Sequence, residues 1–318
     1  MRLWLAAILT AWAALANAAE PYPSRPVKLL VAFTAGGTTD IVARMLTPRL
    51  TERFKQPFVI ENRPGAGGNL GTELACRATP DGYTLIVNTV GPMAVNPTLY
   101  KKLACDPLTE LVPIAQISDV PNVLVVHPSL NIRTMDQFVA YCRAHSGELN
   151  YGSTGIGTSA HLSAFVILQR AGCKATHIPY KGAEALKDLL TGRVQFMFAT
   201  IPSVIAHIHA GGLTPIAVTS THRSRSMPDV PTIADSGFPG FQAGSWTALF
   251  APAGTPPDVI AALNKAVNDI IAEKDIESRL IEDGADPVGG SPEKLGAFVR
   301  SEFEKWRQVI RESGATME

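Results

Sequence analysis

The chain of 318 residues carries 28 basic and 28 acidic side chains, so it has no net charge at neutral pH with histidine uncharged. That balance, with no basic run to offset it, argues against nucleic acid or anionic lipid as the main partner and favours a small ligand held by local features. Cys76, Cys105, Cys142 and Cys173 lie 29, 37 and 31 residues apart with no C-x-x-C, which argues against a zinc site.

Residues 1–18 read as a signal peptide: Arg2 supplies the positive end, Leu3 to Leu15 the apolar stretch, and Ala16-Asn17-Ala18 the small-x-small cleavage site. The stretch is shorter than the about 20 residues that a membrane-spanning helix needs. Cleavage near Ala18 leaves roughly 300 residues, enough for two domains at about 150 each. In an exported chain the four cysteines can form disulfides with three connectivities. They read equally well as buried apolar thiols.

Strand-like runs then recur with helical patterns between them: VKLLVAF, PFVIEN, YTLIVNT, NVLVVHP, LNYGS, ATHIPY, VQFMFAT, LTPIAVTS and TALFAP. The alternation predicts an α/β architecture with mainly parallel sheets. Residues 22–120 and 122–225 each hold their own strand and helix set, and Pro/Gly-rich stretches punctuate 226–241 and 251–258. This pattern fits two α/β lobes, with the chain returning to the first near its end. A helix is expected over 256–272, capped by Thr255 with Pro256 first, and burying Val259, Ile260, Leu263, Val267, Ile270 and Ile271. Ser291-Pro292 opens a last helix through Phe298, Phe303 and Trp306, stopped at Gly314.

Two junctions carry the candidate chemistry. VAFTAGGTTDIVARML, residues 31–46, passes from strand to helix through Ala35, Gly36 and Gly37, with no base, acid or thiol before Asp40. Ile41, Val42, Met45 and Leu46 are expected on the buried side of that helix. In open α/β sheets ligands sit at the carboxyl ends of strands. There the first helical amides lack intrahelical partners, and the helix N-terminus carries about half a positive charge. Glycines let a ligand reach those amides, although a tight turn needing glycine for its dihedrals would look the same. The second junction, LNYGSTGIGTSAHLSAFVIL, leads through Gly152, Ser153, Thr154, Gly155 and Gly157 into a helix from about Thr158. Facing each other across a cleft, two such uncharged, hydroxyl-rich openings could each hold one carboxylate.

Rival readings are weaker. Gly155-Ile156-Gly157-Thr158-Ser159-Ala160 fits the dinucleotide register, but Ala175 to His177 offer no acidic residue for a ribose. PGAGGNLG, residues 64–71, has neither that register nor a phosphate-loop lysine. Ser153 stands one residue short of a nucleophile elbow. His207 and His209, two apart, face different sides of a helix and make a poor metal pair. His161 is a ligand contact, a cap or a core residue, and Asp40, Glu61, Asp119 and Glu184 show no pairing. No catalytic residue, metal or cofactor is expected.

The segments YPSRPVKLLVAF, GGTTD, ENRPGAGGNLGTE, ATPDGYTL, VPNVLVVHPSL, LNYGSTGIGTSAHL, IPYKG, IAVTS, MPDVPTIADSGFPGF and LFAPAGTPPDVIAALN follow in characteristic order. By them the chain resembles, over essentially all of 22–318, the Bug (TctC-type) family of periplasmic solute-binding proteins of tripartite tricarboxylate transport systems. The resemblance implies a two-lobed type II periplasmic binding fold. Lobe 1 would be 22–121 with 248–318, lobe 2 would be 122–247, and the cleft would lie between them. It implies a monomer that closes on a small organic acid, expected to be a dicarboxylate, without catalysis and passes it to a membrane permease. The implied site takes Ala35, Gly36, Gly37, Thr38 and Asp40 from the first loop. From the second it takes Ser153, Thr154, Gly157, Thr158 and Ser159, with Thr89, Ala199 and Thr200 lining the rest. Three departures fall at the pocket: Thr34-Ala35 where the family usually has two prolines, Ala199-Thr200 where an Asp-Asn pair commonly follows MF, and a YKGAEAL one residue shorter than usual and without its proline. Ligand identity therefore cannot be inherited. The alternatives are an orphan sensor signalling to a membrane partner, and an exported enzyme, which would need a base or nucleophile the junctions lack.

Overall fold

The computed structural model describes residues 21–181, 184–313 and 317. The expected signal peptide, the Gly314 stop and Gly182-Ala183 of the shortened loop lie outside the described residues. The strands are β1 Val27–Val31, β2 Phe58–Asn62, β3 Thr84–Thr89, β4 Leu111–Val126, β5 Leu149–Ser153, β6 Ala175–Pro179, β7 Phe196–Thr200, β8 Thr214–Val218, β9 Gly244–Pro252 and β10 Asp286–Pro287. The longer helices are α1 Thr38–Phe54, α2 Asn69–Cys76, α3 Met135–Ala144, α4 Ser159–Ala171, α5 Glu184–Leu190, α6 Ile201–His209, α7 Pro257–Ile271, α8 Lys274–Glu282 and α9 Pro292–Ser313.

One strand belongs to both sheets. The first half of β4 pairs antiparallel with β9 as far as Pro121 opposite Gly244. From Asn122 it pairs antiparallel with β7, and from Val123 with β8. The first sheet continues from β9 to β3, β1 and β2, and the second from β7 to β5 and β6. Parallel pairing holds for β1 with β2 and β3, and for β5 with β6 and β7. The sheets are thus mixed rather than mainly parallel. The strands reached by helical crossovers run parallel, whereas β4 and β9, which carry the chain between the sheets, run against their neighbours.

The strands read as near-continuous apolar runs because both faces of each sheet are covered. Beneath α1 and α7, Val42, Leu46, Leu50, Leu263 and Val267 pack on Leu29, Val31 and Leu85. Val42 and Leu46 are buried as expected, but Ile41 and Met45 are only half-buried. The buried stripe of α1 instead includes Ala43 and Leu50. A second cluster joins Trp306, Phe250, Phe138, Phe196, Leu162 and Ile167. A third sets Val123 and Val125 against Leu189 and Val204.

Side-chain caps set several helix starts, at Thr134, Thr158 and Ser291 among them. The Ser291 hydroxyl accepts the Lys294 N–H at 3.3 Å, capping α9. The start of α7 moves by one residue: Thr255 turns its hydroxyl to the Pro252 carbonyl at 2.8 Å, leaving Pro256 as the cap. The cysteines are paired, Cys76 with Cys105 and Cys142 with Cys173, so the buried-thiol alternative does not hold. Each closes a loop of similar span, 29 and 31 residues.

Candidate functional site

Three helices begin at one cleft. At α1 the turn places Gly36 at φ +79°, in the left-handed region that favours glycine, and Gly37 at φ −78° as the cap. Gly37 has no side chain and makes no cap bond, so the first-turn amides of α1 are left without a side-chain partner. At α4 the cap is Thr158, whose hydroxyl accepts the His161 N–H at 3.5 Å and donates to the Gly155 carbonyl at 2.7 Å. At α6 the cap is Thr200, again without a side-chain cap bond to the backbone.

The cleft has a volume of about 660 Å³, counting the part open to solvent. Phe33, Thr34, Gly37, Thr38 and Thr39 line it from the first junction, and Thr89, Val90 and Gly91 from the end of β3. Thr154, Thr158 and Ser159 come from the second junction, Thr200 from α6, and Ser245 and Thr247 from β9. None of these is charged, so an anion here would be met by amides, hydroxyls and helix dipoles.

Of the thirteen positions that the resemblance implied, Gly37, Thr38, Thr89, Thr154, Thr158, Ser159 and Thr200 share this lining. The other six stand elsewhere. Ala35 and Gly36 form the exposed tip of the first turn. Asp40 is buried behind the loop: its Oδ2 accepts the Gly36 N–H at 2.9 Å and Arg44 Nε at 2.8 Å, and its Oδ1 accepts Asn62 Nδ2 at 3.0 Å. Burial alone would raise this carboxyl, but those partners hold it below its ordinary value. With Arg44 neutralising it, Asp40 shapes the loop without repelling an anion in the cleft. Ser153 is buried under the second loop, with its hydroxyl 2.6 Å from His177 Nε2. Gly157 spends its N–H on His161 Nδ1 at 3.3 Å, and Ala199 is enclosed in the core of β7.

The two histidines stack behind the second loop with ring centroids 4.2 Å apart, and Tyr151 stacks on His177 at 4.9 Å. Burial pushes His161 down to about 4. Burial together with the neighbouring His161 ring pushes His177 down to about 3. Both are therefore neutral at ordinary pH, and His161 serves the loop as an acceptor through Nδ1.

Phe33, Thr39, Val90, Gly91, Ser245 and Thr247 also line the cleft and were not among the expected positions. Ser245 and Thr247 stand two apart on β9 and so share a face. A hydroxyl-x-hydroxyl pattern at a strand start was the available signal.

A chain that crosses twice between two α/β sheets and turns three helix N-termini into the cleft between them has the two-lobed fold of a periplasmic binding protein. Residues 42–315 match the family model described as "Tripartite tricarboxylate transporter family receptor", and the chain belongs to that family. It is 38% identical over 312 residues to Protein BugT of Bordetella pertussis, a match covering 98% of this chain and 96% of the relative. Among solved structures, R. palustris Rpa4515 with adipate superposes with a TM-score of 0.91 at 37% identity, covering 93% of this chain and all of that one. The periplasmic binding protein BugD superposes with a TM-score of 0.88 at 33% identity, over 93% of this chain and 100% of that one.

Proposed function

We propose that this protein is exported to the periplasm, captures a small organic acid there, preferably a dicarboxylate, and delivers it to a membrane permease of the tripartite tricarboxylate type. The observation that carries this reading is the cleft lining, in which the uncapped first turn of α1, the start of α4 and the start of α6 meet without any charged side chain. Such groups hold a carboxylate through charge-assisted bonds of about 1.5 to 3 kcal/mol each. Several of them support micromolar binding, about 8 kcal/mol, after ordering is subtracted. They offer no nucleophile activated by a base, so the acid is bound and released unchanged. The lobes are residues 22–121 with 248–318, and residues 122–247, with β4 and β9 as the crossings. The adipate held by Rpa4515 supports the dicarboxylate class.

The test starts from protein stripped of ligand and a panel of mono-, di- and tricarboxylates, amino acids and nicotinate. A true ligand at 100 times its Kd stabilises the fold by about 2.7 kcal/mol and raises the melting temperature accordingly. No shift across the panel sinks the binding claim, and turnover of a bound acid would revive the enzyme reading. Mass spectrometry of material that copurifies identifies the acid directly.

A further inference from the structure

Buried polar atoms almost always find a partner. Among the described residues two buried side-chain atoms have none, Thr34 Oγ1 and Asn96 Oδ1. Both lie where the lobes meet. Asn96 is fully buried, and its Oδ1 stands 2.9 Å from where a Cβ on Gly157 would be. Its Nδ2 is already used by the Gly67 carbonyl and Asn69 Oδ1.

Thr34 lines the cleft itself. Its carbonyl accepts the Gly37 N–H at 3.2 Å, which fixes the residue against the first loop. Other cleft hydroxyls are engaged: Thr38 with Thr200, Thr158 on the Gly155 carbonyl, Thr247 with Ser118. Thr34 alone in this lining has its hydroxyl covered with nothing to bond. A turn about χ1 carries the hydroxyl from its covered position into the cleft that Thr34 lines, where its one donor and two acceptor positions can meet a ligand oxygen or N–H. A plain methylene at that point would leave the hydroxyl stranded, and an unsatisfied buried group is penalised more than a made bond is rewarded.

We infer that Thr34 is a specificity-determining residue, and that its hydroxyl selects small carboxylates carrying a further hydrogen-bonding group, such as a hydroxyl, on the carbon chain. This rests on the carboxylate reading above and adds to it a requirement on the rest of the ligand.

The experiment measures Kd by calorimetry for acids that differ by one hydroxyl: succinate and each enantiomer of malate, butyrate and 3-hydroxybutyrate, adipate and 3-hydroxyadipate. Ligand-stripped wild type, Thr34→Val and Thr34→Ser are compared, with melting curves to confirm folding. In the wild type the hydroxylated member of at least one pair should bind about tenfold tighter. Thr34→Val should bring that ratio near one, and Thr34→Ser should restore it. A ratio that Thr34→Val leaves unmoved, or no preference in any pair, overturns the inference while the carboxylate reading stands. If none of the acids binds, the carboxylate reading falls and the inference falls with it.

Discussion

The hydroxyls of Thr38 and Thr200, 162 positions apart in the chain, lie 2.8 Å from each other across the cleft. Thr200 donates its one proton to Ser203 Oγ at 3.1 Å, and Ser203 donates to the Thr200 carbonyl at 2.7 Å, so Thr38 is the donor to Thr200. The bond ties the N-terminus of α1 to that of α6, and it exists only while the lobes are together. Thr200→Val keeps the shape and removes the acceptor. Its expected effect is about 0.5 to 1.5 kcal/mol on closure, roughly a two- to thirteenfold rise in Kd with little change in melting temperature. Calorimetry with the acid found by the ligand panel checks this, and an unchanged Kd would show that the bond contributes nothing to closure.

Gly37 and Gly36 separate a binding role from a conformational one. Gly37 has extended dihedrals that any residue adopts, and a Cβ there meets only the Thr34 carbonyl, at 3.3 Å. Gly37→Val should therefore fold, cover the first amides of α1 and weaken binding by at least about a hundredfold, comparable to losing one or two charge-assisted bonds. Gly36→Val has open space for its side chain but must hold φ at +79°, at a strain of about 1 to 2 kcal/mol. Its main effect should be a lower melting temperature. Reversed outcomes would remove the first loop from the site.

Gly157 reports on closure from the other lobe. A Cβ there would stand 2.7 Å from Leu99 Cδ2 and 2.9 Å from Asn96 Oδ1, and the residue sits at φ +79°. Gly157→Ala should hold the lobes apart. The expected signature is at least a roughly tenfold weaker Kd, together with a radius of gyration by solution scattering that no longer shrinks when ligand is added. Normal compaction would contradict the packing described.

These residues also show what the sequence could and could not disclose. The helix start near Thr158 and the opening at Ser291-Pro292 were legible because a cap involves neighbours three positions away. The α/β alternation was legible for the same local reason. The double membership of β4 was not, because pairing with β9 and then with β7 is decided by segments more than 70 residues downstream. Asp40 looked like a cleft carboxylate because the distant Asn62, one of the groups that turn it inward, cannot be placed from a single sequence. Ser245 and Thr247 escaped notice because β9 returns to the cleft only in three dimensions.

Acid should destabilise the protein in two separate steps. His161 and His177 have ordinary values near 6.5 when unfolded, but fall to about 4 and about 3 in the fold. Between those limits the unfolded chain binds protons that the folded chain refuses, so stability is full above about pH 6.5 and declines as pH falls through that window. Each tenfold difference in proton affinity between the two states corresponds to about 1.4 kcal/mol. From pH 7 to pH 5 the pair together should lose about 2 kcal/mol after allowance for partial exposure of the rings. Asp40 acts in the same direction but lower down. Its folded value lies below its ordinary 3.8, so its contribution is intact above that value and is lost only as pH falls beneath it. Buried Asp119, its carboxyl raised to about 6, binds its proton in the fold over the same range and acts in the opposite direction, so the histidine step is read as the difference between wild type and a histidine variant in urea unfolding at pH 7, 6 and 5. His177→Phe keeps a ring beside Tyr151 and His161 but cannot be protonated, so it should lower stability at pH 7 while removing about half of the histidine contribution to the pH slope. An equal slope in the variant and the wild type would mean that the histidines behind the second loop do not set the acid sensitivity of the fold.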